Sequence, residues 1–305
     1  MTNTTTPTAN ERPYNPSLID RFNDWVAGLP IPAWALFGLL GLELIVVQGA
    51  FLWLEGGLQH GELLPIIIFN ALFTPFLLAL IYLLDNQAVT ALNAMRPVLA
   101  TTEPGFDRYA YRLSTMPFPL PLVIGLSMVV LVVLMEQLAT TPLPYAALER
   151  SRIFAVVFQV VDKSSAFLFG VFIFHTIRQL RLVTAINANH VRISLFNLRP
   201  LQAFSTLTAS TAVGLVVGVY GWMLINPELW ADPVILGFVV IISILAVAVF
   251  VWPLYGVHRL MVAAKERALH EIDHRFEAVF SAFNVALRDG DYAATEELSG
   301  TIASL

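Results

Sequence analysis

The stretch AWALFGLLGLELIVVQGAFLWL, residues 33 to 54, decides the fold class of this chain. It contains a single charged side chain, Glu43, and one other strongly polar side chain, Gln48, in a run that is apolar elsewhere. A helix needs roughly 20 apolar residues to cross a hydrocarbon core about 30 Å thick. Helices and closed barrels are the structures that satisfy their backbone polar groups in lipid. The stretch therefore predicts a transmembrane helix.

Five further stretches have the same character, so we predict an all-α, polytopic transmembrane helical bundle. The six predicted spans cover residues 33–54, 63–84, 118–138, 153–177, 208–225 and 233–254. The composition agrees, because 13% of the residues are charged and 57% are hydrophobic, whereas soluble chains average about 25% charged. We predict a disordered cytoplasmic N-terminus (1–30), the six-helix domain (31–255) and a cytoplasmic helical tail (256–305).

The composition also limits the possible functions. The chain has no cysteine, which excludes disulfides, thiolate metal sites and a cysteine nucleophile. The net charge of −5 argues against nucleic acid as a partner, because phosphate binding needs clustered lysine and arginine. The lipid bilayer is the predicted environment, and no cofactor is predicted.

The distribution of cations predicts the orientation of the bundle. Arginine and lysine concentrate in the N-terminal segment, in the connections between spans two and three and between spans four and five, and in the tail. The loops on the opposite side carry only Arg150 and Arg152. Cytoplasmic loops are the ones enriched in lysine and arginine. We therefore predict a multi-pass protein of the cell (inner) membrane with both termini in the cytoplasm.

Span four carries two charges near the middle of the membrane, Asp162 and Lys163. A charge at that depth costs at least ~3 kcal/mol on insertion scales, so it is rarely left without a partner or a function. Glu43 lies at a matching depth in span one, which predicts a Glu43 to Lys163 ion pair. Gln159 lies one helical turn from Lys163. Glu136, near the outer end of span three, is expected to reach interfacial water.

Three interpretations of these intramembrane charges remain open. They form the proton relay or ion site of a transporter or channel, or they form a structural clamp between spans. In the third interpretation, span four breaks at VDKSS (161–165) and leaves the charges in a water-filled vestibule.

Small residues recur four apart in span five, at Ser210, Gly214 and Gly218. This spacing lets helix backbones approach closely. It predicts a helix-packing surface, formed either with the same chain or with a second copy.

The tail shows the heptad spacing of a coiled coil. We define the tail seam as Leu269, Ile272, Phe276, Val279 and Phe283. It predicts a homo-oligomer or a docking surface for a membrane or cytoplasmic protein. A turn at 289–291 and a second amphipathic helix are expected to follow. Because that pattern reaches Leu305 without a cap, we expect either that the sequence continues or that this helix packs on a partner.

The stretch HEIDH, residues 270 to 274, matches the zinc-protease pattern H-E-x-x-H. In such a site His270 and His274 would bind Zn²⁺ and Glu271 would activate the water. Glu296 or Glu297 would supply the third ligand. Against this, Asp273 adds a charge to the helix and Ile272 belongs to the tail seam. The preferred interpretation is two surface histidines on a coiled-coil helix, without a metal.

The second half of the chain, with the pattern LF-x-L-x-PL-x-AFS at 195–205 and the segment WPLYGVHRLMVAAKERAL at 252–269, resembles a group of uncharacterised bacterial multi-pass integral membrane proteins with a cytoplasmic coiled-coil tail. The resemblance implies a fold and a membrane location. It transfers no functional residues.

These observations favour a non-enzymatic membrane signalling or scaffold module that acts through its cytoplasmic helices. The first alternative is an ion- or proton-coupled transporter or channel that uses Glu43, Asp162 and Lys163. The second alternative is a zinc metalloprotease.

Overall fold

A computed structural model describes residues 13–56, 64–99, 102–140, 152–190 and 205–289, together with 296, 299 and 300. These residues are almost entirely helical and contain no strand beyond an isolated bridge between Pro16 and Pro117. The helices are α1 (Leu18–Ala27), α2 (Ala33–Leu54), α3 (Pro65–Met95), α4 (Glu103–Ser114), α5 (Leu120–Leu138), α6 (Arg152–His190), α7 (Ser205–Ile225) and α8 (Pro233–Asp289). Short 3₁₀ turns occupy Arg96–Val98 and Pro227–Ala231.

Five of these helices, α2, α3, α5, α6 and α7, are long and apolar enough to cross a membrane. The prediction of an all-helical chain with several long apolar helices is therefore confirmed. The sixth predicted span lies in α8, whose described apolar stretch, Pro233–Ala248, is shorter than a span. The side chains at 249, 250 and 252–254 lie outside the described residues, so the sixth span stays a prediction.

The N-terminal region predicted to be disordered contains a helix, α1, within its described part. Ser17 and Asp20 form a reciprocal capping box at its start, which satisfies two backbone amides that would otherwise lack partners. Ile19 and Val26 are buried on one side of the helix. The prediction of disorder rested on the polar composition of the segment, and it missed the short amphipathic pattern of α1.

Helix α3 occupies the centre of the bundle, in contact with α2, α4, α6 and α7. It runs in the same direction as α6, because polar contacts between the two helices follow one another in order along both. Asn70 Nδ2 donates to the carbonyl of Phe158 (3.4 Å), and the hydroxyls of Thr74 and Ser165 lie 2.7 Å apart. We call the end of the bundle where α2 begins and α3 ends the proximal end, and the opposite end the distal end.

The main apolar core lies around the proximal half of α3 and α6. Several of its largest side chains are fully buried, namely Ile81, Leu84, Leu92, Met95, Phe172 and Ile186. Leucine and valine side chains on the outer faces of α2, α5 and α7 are exposed instead. This arrangement is expected for a bundle in lipid, since apolar side chains can face the bilayer without cost.

Small residues bring neighbouring helices close together. Gly214 and Gly218 of α7 are buried against α3, and a Cβ added at Gly218 would lie 3.1 Å from the ring of Phe73. Ser210, the third small residue of that row, is half-buried. A Cβ added at Gly170 would lie 2.6 Å from Cβ of Met128. The small-residue row of α7 therefore packs on the same chain, against α3.

Candidate functional site

The intramembrane charges form a cluster between α5 and α6. Lys163 Nζ donates to Oδ2 of Asp162 at 2.8 Å and also pairs with the carboxylate of Glu136. The side chains of Lys163, Asp162 and Glu136 are 21%, 31% and 14% exposed, so the protein covers most of each group. We call these three residues the α5–α6 charge cluster.

The predicted ion pair between Glu43 and Lys163 is absent. Glu43 lies exposed on the outer face of α2, between the exposed side chains of Leu42 and Val46. Lys163 pairs with Glu136, the residue expected at interfacial water, because α5 packs along α6 and brings that carboxylate beside it. Position in a span predicts depth in the membrane, but it does not predict which neighbour a side chain faces.

The position of the charge cluster also differs from the expectation. Helix α6 continues unbroken through Asp162 and Lys163, so the predicted break at 161–165 does not occur. Glu136 is two residues from the end of α5, which places the cluster in the distal half of the bundle rather than at its centre. Gln159 is half-buried and makes no hydrogen bond to the described part of the chain.

A cavity of about 120 Å³ adjoins the charge cluster. Its wall is mostly apolar, and the lining residues that carry polar groups are Asn70, Glu136, Asp162, Ser165 and Trp222. Oδ1 of Asn70 is buried and has no hydrogen-bond partner among the described residues. A polar cavity of this size has room for several water molecules. Its two carboxylates could hold a cation or exchange a proton.

A second polar network, which the sequence analysis missed, lies near the proximal end of α3. His175 Nε2 lies 2.6 Å from Oδ1 of Asp85, and Gln179 Nε2 donates to the same oxygen at 3.1 Å. Gln179 Nε2 also donates to the carbonyl of Leu113 in α4 (2.9 Å), while Asn23 Nδ2 of α1 donates to Oδ2 of Asp85 at 3.4 Å. His175 is fully buried. We call Asp85, His175, Gln179 and Asn23 the Asp85 network.

One local signal could have pointed to this network. His175 and Gln179 are four residues apart, so they lie on one face of a helix. The predicted span four ends at residue 177, so the two side chains were not considered together in the sequence analysis. Nothing local indicates that Asp85, 90 residues earlier than His175, is their partner.

The carboxylate of Asp20 adds a further link between α1 and the bundle. Its Oδ2 accepts hydrogen bonds from the backbone amides of Ser17 (2.9 Å) and Met116 (2.8 Å). Burial raises the pKa of Asp20 to about 6, the negative charge of Asp85 adds to the rise, and the hydrogen bonds from Ser17 and Met116 oppose it. Asp20 therefore titrates within a physiological pH range.

The HEIDH stretch lies on the exposed surface of the C-terminal part of α8, from residue 255 onward, which we call the projecting part. His270, Glu271 and His274 are all exposed, and Glu271 pairs with Arg275 one turn later. Within the described residues, no group of three His, Cys, Asp or Glu side chains is placed to hold a metal ion. Glu296 is exposed, and Glu297 lies outside the described residues. The surroundings are those of a solvated helix, and they give the zinc-protease alternative no support.

The tail seam lies on the same projecting helix. Leu269, Ile272 and Phe276 are 49%, 46% and 42% exposed, while Val279 and Phe283 are half-buried. The second helix expected after the turn at 289–291 falls almost entirely outside the described residues.

No family model, curated protein or solved structure matches this chain. The resemblance to bacterial multi-pass membrane proteins stays a prediction, and function is inferred from the geometry of the chain's own residues.

Replacing Lys163 by Met should destabilise the bundle, because it leaves Asp162 and Glu136 as neighbouring carboxylates without their cation. Removing one partner of a buried ion pair costs roughly 3–5 kcal/mol. Adding Glu136→Gln to the Lys163→Met variant should restore part of this loss, whereas adding Glu43→Gln should not. The unfolding midpoint of each variant in mild detergent would show the coupling. Equal rescue by the two glutamine substitutions would contradict the assigned pair.

The pKa of Asp20 predicts how the docking of α1 depends on pH. Because the folded-state pKa of about 6 exceeds the ordinary value of 3.8, the folded state binds the proton more tightly. Docking should be strongest below pH 4 and should weaken by about 3 kcal/mol as the pH rises to 6. Asp20→Asn keeps an oxygen that can accept from both amides and should abolish this dependence.

Hydrogen-exchange protection of residues 17–27, corrected for intrinsic rates and measured from pH 4 to 7, would test this prediction. Protection that rises with pH in the native protein would contradict the role of this carboxyl group. So would protection that falls with pH as much in Asp20→Asn as in the native protein.

Proposed function

We propose that this chain is a non-enzymatic membrane signalling or scaffold module whose copies associate through the tail seam on α8. In this proposal, six spans place both termini and the projecting helix on the cytoplasmic side of the inner membrane. The observation that carries it is the apolar seam on a helix continuous with the bundle, exposed at Leu269, Ile272 and Phe276 and half-buried at its two later residues.

The dimensions of α8 support this role. The helix has 57 residues, which corresponds to a length of about 85 Å at 1.5 Å per residue. From residue 255 onward, every side chain that the structure describes is exposed or half-buried. Seam residues spaced by three and four lie along one side of this projecting part. Contiguous apolar surface of this kind in water marks a site of protein association.

A second copy of the same chain is the partner that fits best. Copies inserted in the same membrane share one orientation, so identical helices project from the same face at the same height. Leu269 of one copy then faces Leu269 of the other, and each later seam residue meets its equivalent, as in a parallel coiled coil. Confinement to the membrane also raises the effective concentration of each seam for the other.

The exposed face of α2 offers independent support for association. Glu43 on that face would contact lipid in a monomer, at a cost of roughly 3 kcal/mol. Gly38, five residues earlier on α2, is also exposed, and a Cβ added there would have no atom within 4 Å. A small residue with open space allows another helix to approach. Association would thus cover both the seam in water and the Glu43 carboxyl in the membrane.

Substituting Phe276 by Glu should dissociate the oligomer, because it places a charge in the apolar seam. Val285→Glu provides a matched control, since Val285 is 53% exposed but lies off the seam. The mass of the detergent-solubilised protein, measured by light scattering, should fall to that of a monomer for Phe276→Glu alone. A native protein that is already monomeric, or equal dissociation by both variants, would refute the proposal.

Cysteine cross-linking in native membranes would test the parallel arrangement. The chain has no cysteine, so a single introduced thiol reports its own position. Ile272→Cys, in the seam, should form a disulfide between copies on oxidation. His274→Cys, on the opposite side of the helix, should not.

Ion- or proton-coupled transport is a second candidate function, favoured by the cavity beside the α5–α6 charge cluster. Asp162 and Glu136 both line this cavity, and ionisable groups inside a bundle often mark ion pathways. Asp162→Asn should abolish a pH-dependent cation flux into proteoliposomes, whereas Phe276→Glu should leave the flux unchanged. Normal flux in Asp162→Asn would remove this residue from any pathway.

A further inference from the structure

A cavity of about 470 Å³ lies near the proximal end of the bundle, between α4, α5 and α6. Its volume falls within the range of roughly 300–1,000 Å³ that is usual for small-molecule sites. Three arginines line it, Arg112 from α4 and Arg178 and Arg181 from α6. Most of the remaining wall is apolar, with Ile124, Ile173 and Ile177 among its residues. We call this space the arginine cavity.

The positive charge of the arginine cavity is not neutralised by an ion pair within the described residues, although the carboxylate of Asp85 interacts with Arg178 at longer range. None of the three arginines forms an ion pair within the described part of the chain, although other cations there do. The residues that line the cavity include no carboxylate. Three guanidinium groups around one space therefore create a strongly positive potential, which favours the binding of an anion.

Arg178 shows that this positive charge is held in place. It donates a hydrogen bond to the hydroxyl of Tyr14, and its guanidinium carbon lies 5.5 Å from the centre of the Tyr14 ring. Tyr14 in turn donates to the carbonyl of Thr115 at 2.8 Å. The other terminal nitrogen, Nη1 of Arg178, is buried and has no hydrogen-bond partner among the described residues. A buried donor without a partner is costly, so an acceptor bound in the cavity would stabilise this arrangement.

The wall of the cavity combines apolar and cationic side chains along α6. Ile173 and Ile177 precede Arg178 and Arg181, and Leu182 and Ala185 line the cavity beyond the arginines. Ile124, the fifth residue of α5, adds to the apolar wall about one turn inside that span. A ligand with an anionic head and an apolar tail fits this combination of arginine and apolar side chains.

We propose that the arginine cavity binds a phosphate-bearing anion, with the phosphate between Arg112, Arg178 and Arg181. Arginine pairs with phosphate through parallel hydrogen bonds that fit the geometry of both groups. The apolar wall favours a phosphate carried by a membrane lipid, and basic pockets between spans are known to hold lipid headgroups. A soluble phosphate ester shares the same headgroup chemistry. This site is independent of the proposed association through the tail.

Binding can be measured by native mass spectrometry of the full chain in detergent, titrated with phosphatidylglycerol. Phosphatidylcholine tests the need for net negative charge, and glycerol phosphate tests the need for acyl chains. Exchanging Arg112 and Arg181 together for Gln should weaken phosphatidylglycerol binding by about tenfold or more. Arg108→Gln is the matched control, because Arg108 is exposed on the same helix as Arg112 and does not line the cavity.

Each outcome bears on the proposal. Tighter binding of phosphatidylglycerol than of phosphatidylcholine, lost in the double variant and retained in Arg108→Gln, would support a lipid headgroup site. Equal binding of glycerol phosphate with the same dependence on the arginines would support the site and assign it to a soluble anion. If Arg108→Gln weakened phosphatidylglycerol binding as much as the double variant does, the binding would be due to general surface charge, and the proposal would be overturned. Arg181→Gln alone, at an exposed side chain, gives the same test if the double variant does not fold.

Discussion

The hydrogen bonds of one carboxylate, Asp85, connect three helices near the proximal end of the bundle, and one of its partners reaches a fourth. It lies on α3, the central helix, and receives side chains from α1 and α6. Gln179 extends the contact to the backbone of α4. A buried carboxylate is tolerated only where such partners surround it. The positions of α1 and α4, which are too short to cross the membrane, therefore depend on this group.

The ionisable side chains near or within the bundle fall into three environments. Lys163 is shared by two carboxylates within the protein, so one cation serves two acidic groups. Glu43 is exposed on the outer face of α2, where a second helix would have to cover it. The three arginines of the arginine cavity form no ion pair with the residues that the structure describes, and they line a cavity in the protein. The proposals of a second copy and of a bound anion are based on the last two environments.

In the proposed scaffold, the tail seam and the arginine cavity lie at different heights relative to the membrane. The tail seam would hold copies together outside the membrane, while the arginine cavity would bind an anion at the level of the proximal surface. α6 connects this level with the charge cluster, because it carries Arg178, His175 and Lys163 on one continuous helix. A ligand at the arginines would therefore contact the same rigid element that carries the intramembrane charges.

The helical class and the position of most apolar helices could be predicted from the sequence alone, whereas the depth of the charge cluster could not. α2 occupies the predicted residues 33–54, and α5 and α7 end at the predicted residues 138 and 225. This agreement has a local cause, because each span in lipid must satisfy its own backbone and be long enough to cross. The heptad spacing of the tail seam is local information of the same kind.

The contacts between side chains of different helices could be read only from the tertiary structure. Lys163 pairs with Glu136 rather than with Glu43, and Asp85 meets His175 across 90 residues of sequence. The arginine cavity likewise combines residues of three helices. Counting along a predicted span gives only an approximate depth, because the helix can extend beyond the span, as α6 does. The partner of a residue depends on the rotation of each helix and on the order in which the helices pack. Those quantities are set by the close contacts of the whole bundle, such as Gly218 against Phe73, and no single segment contains them.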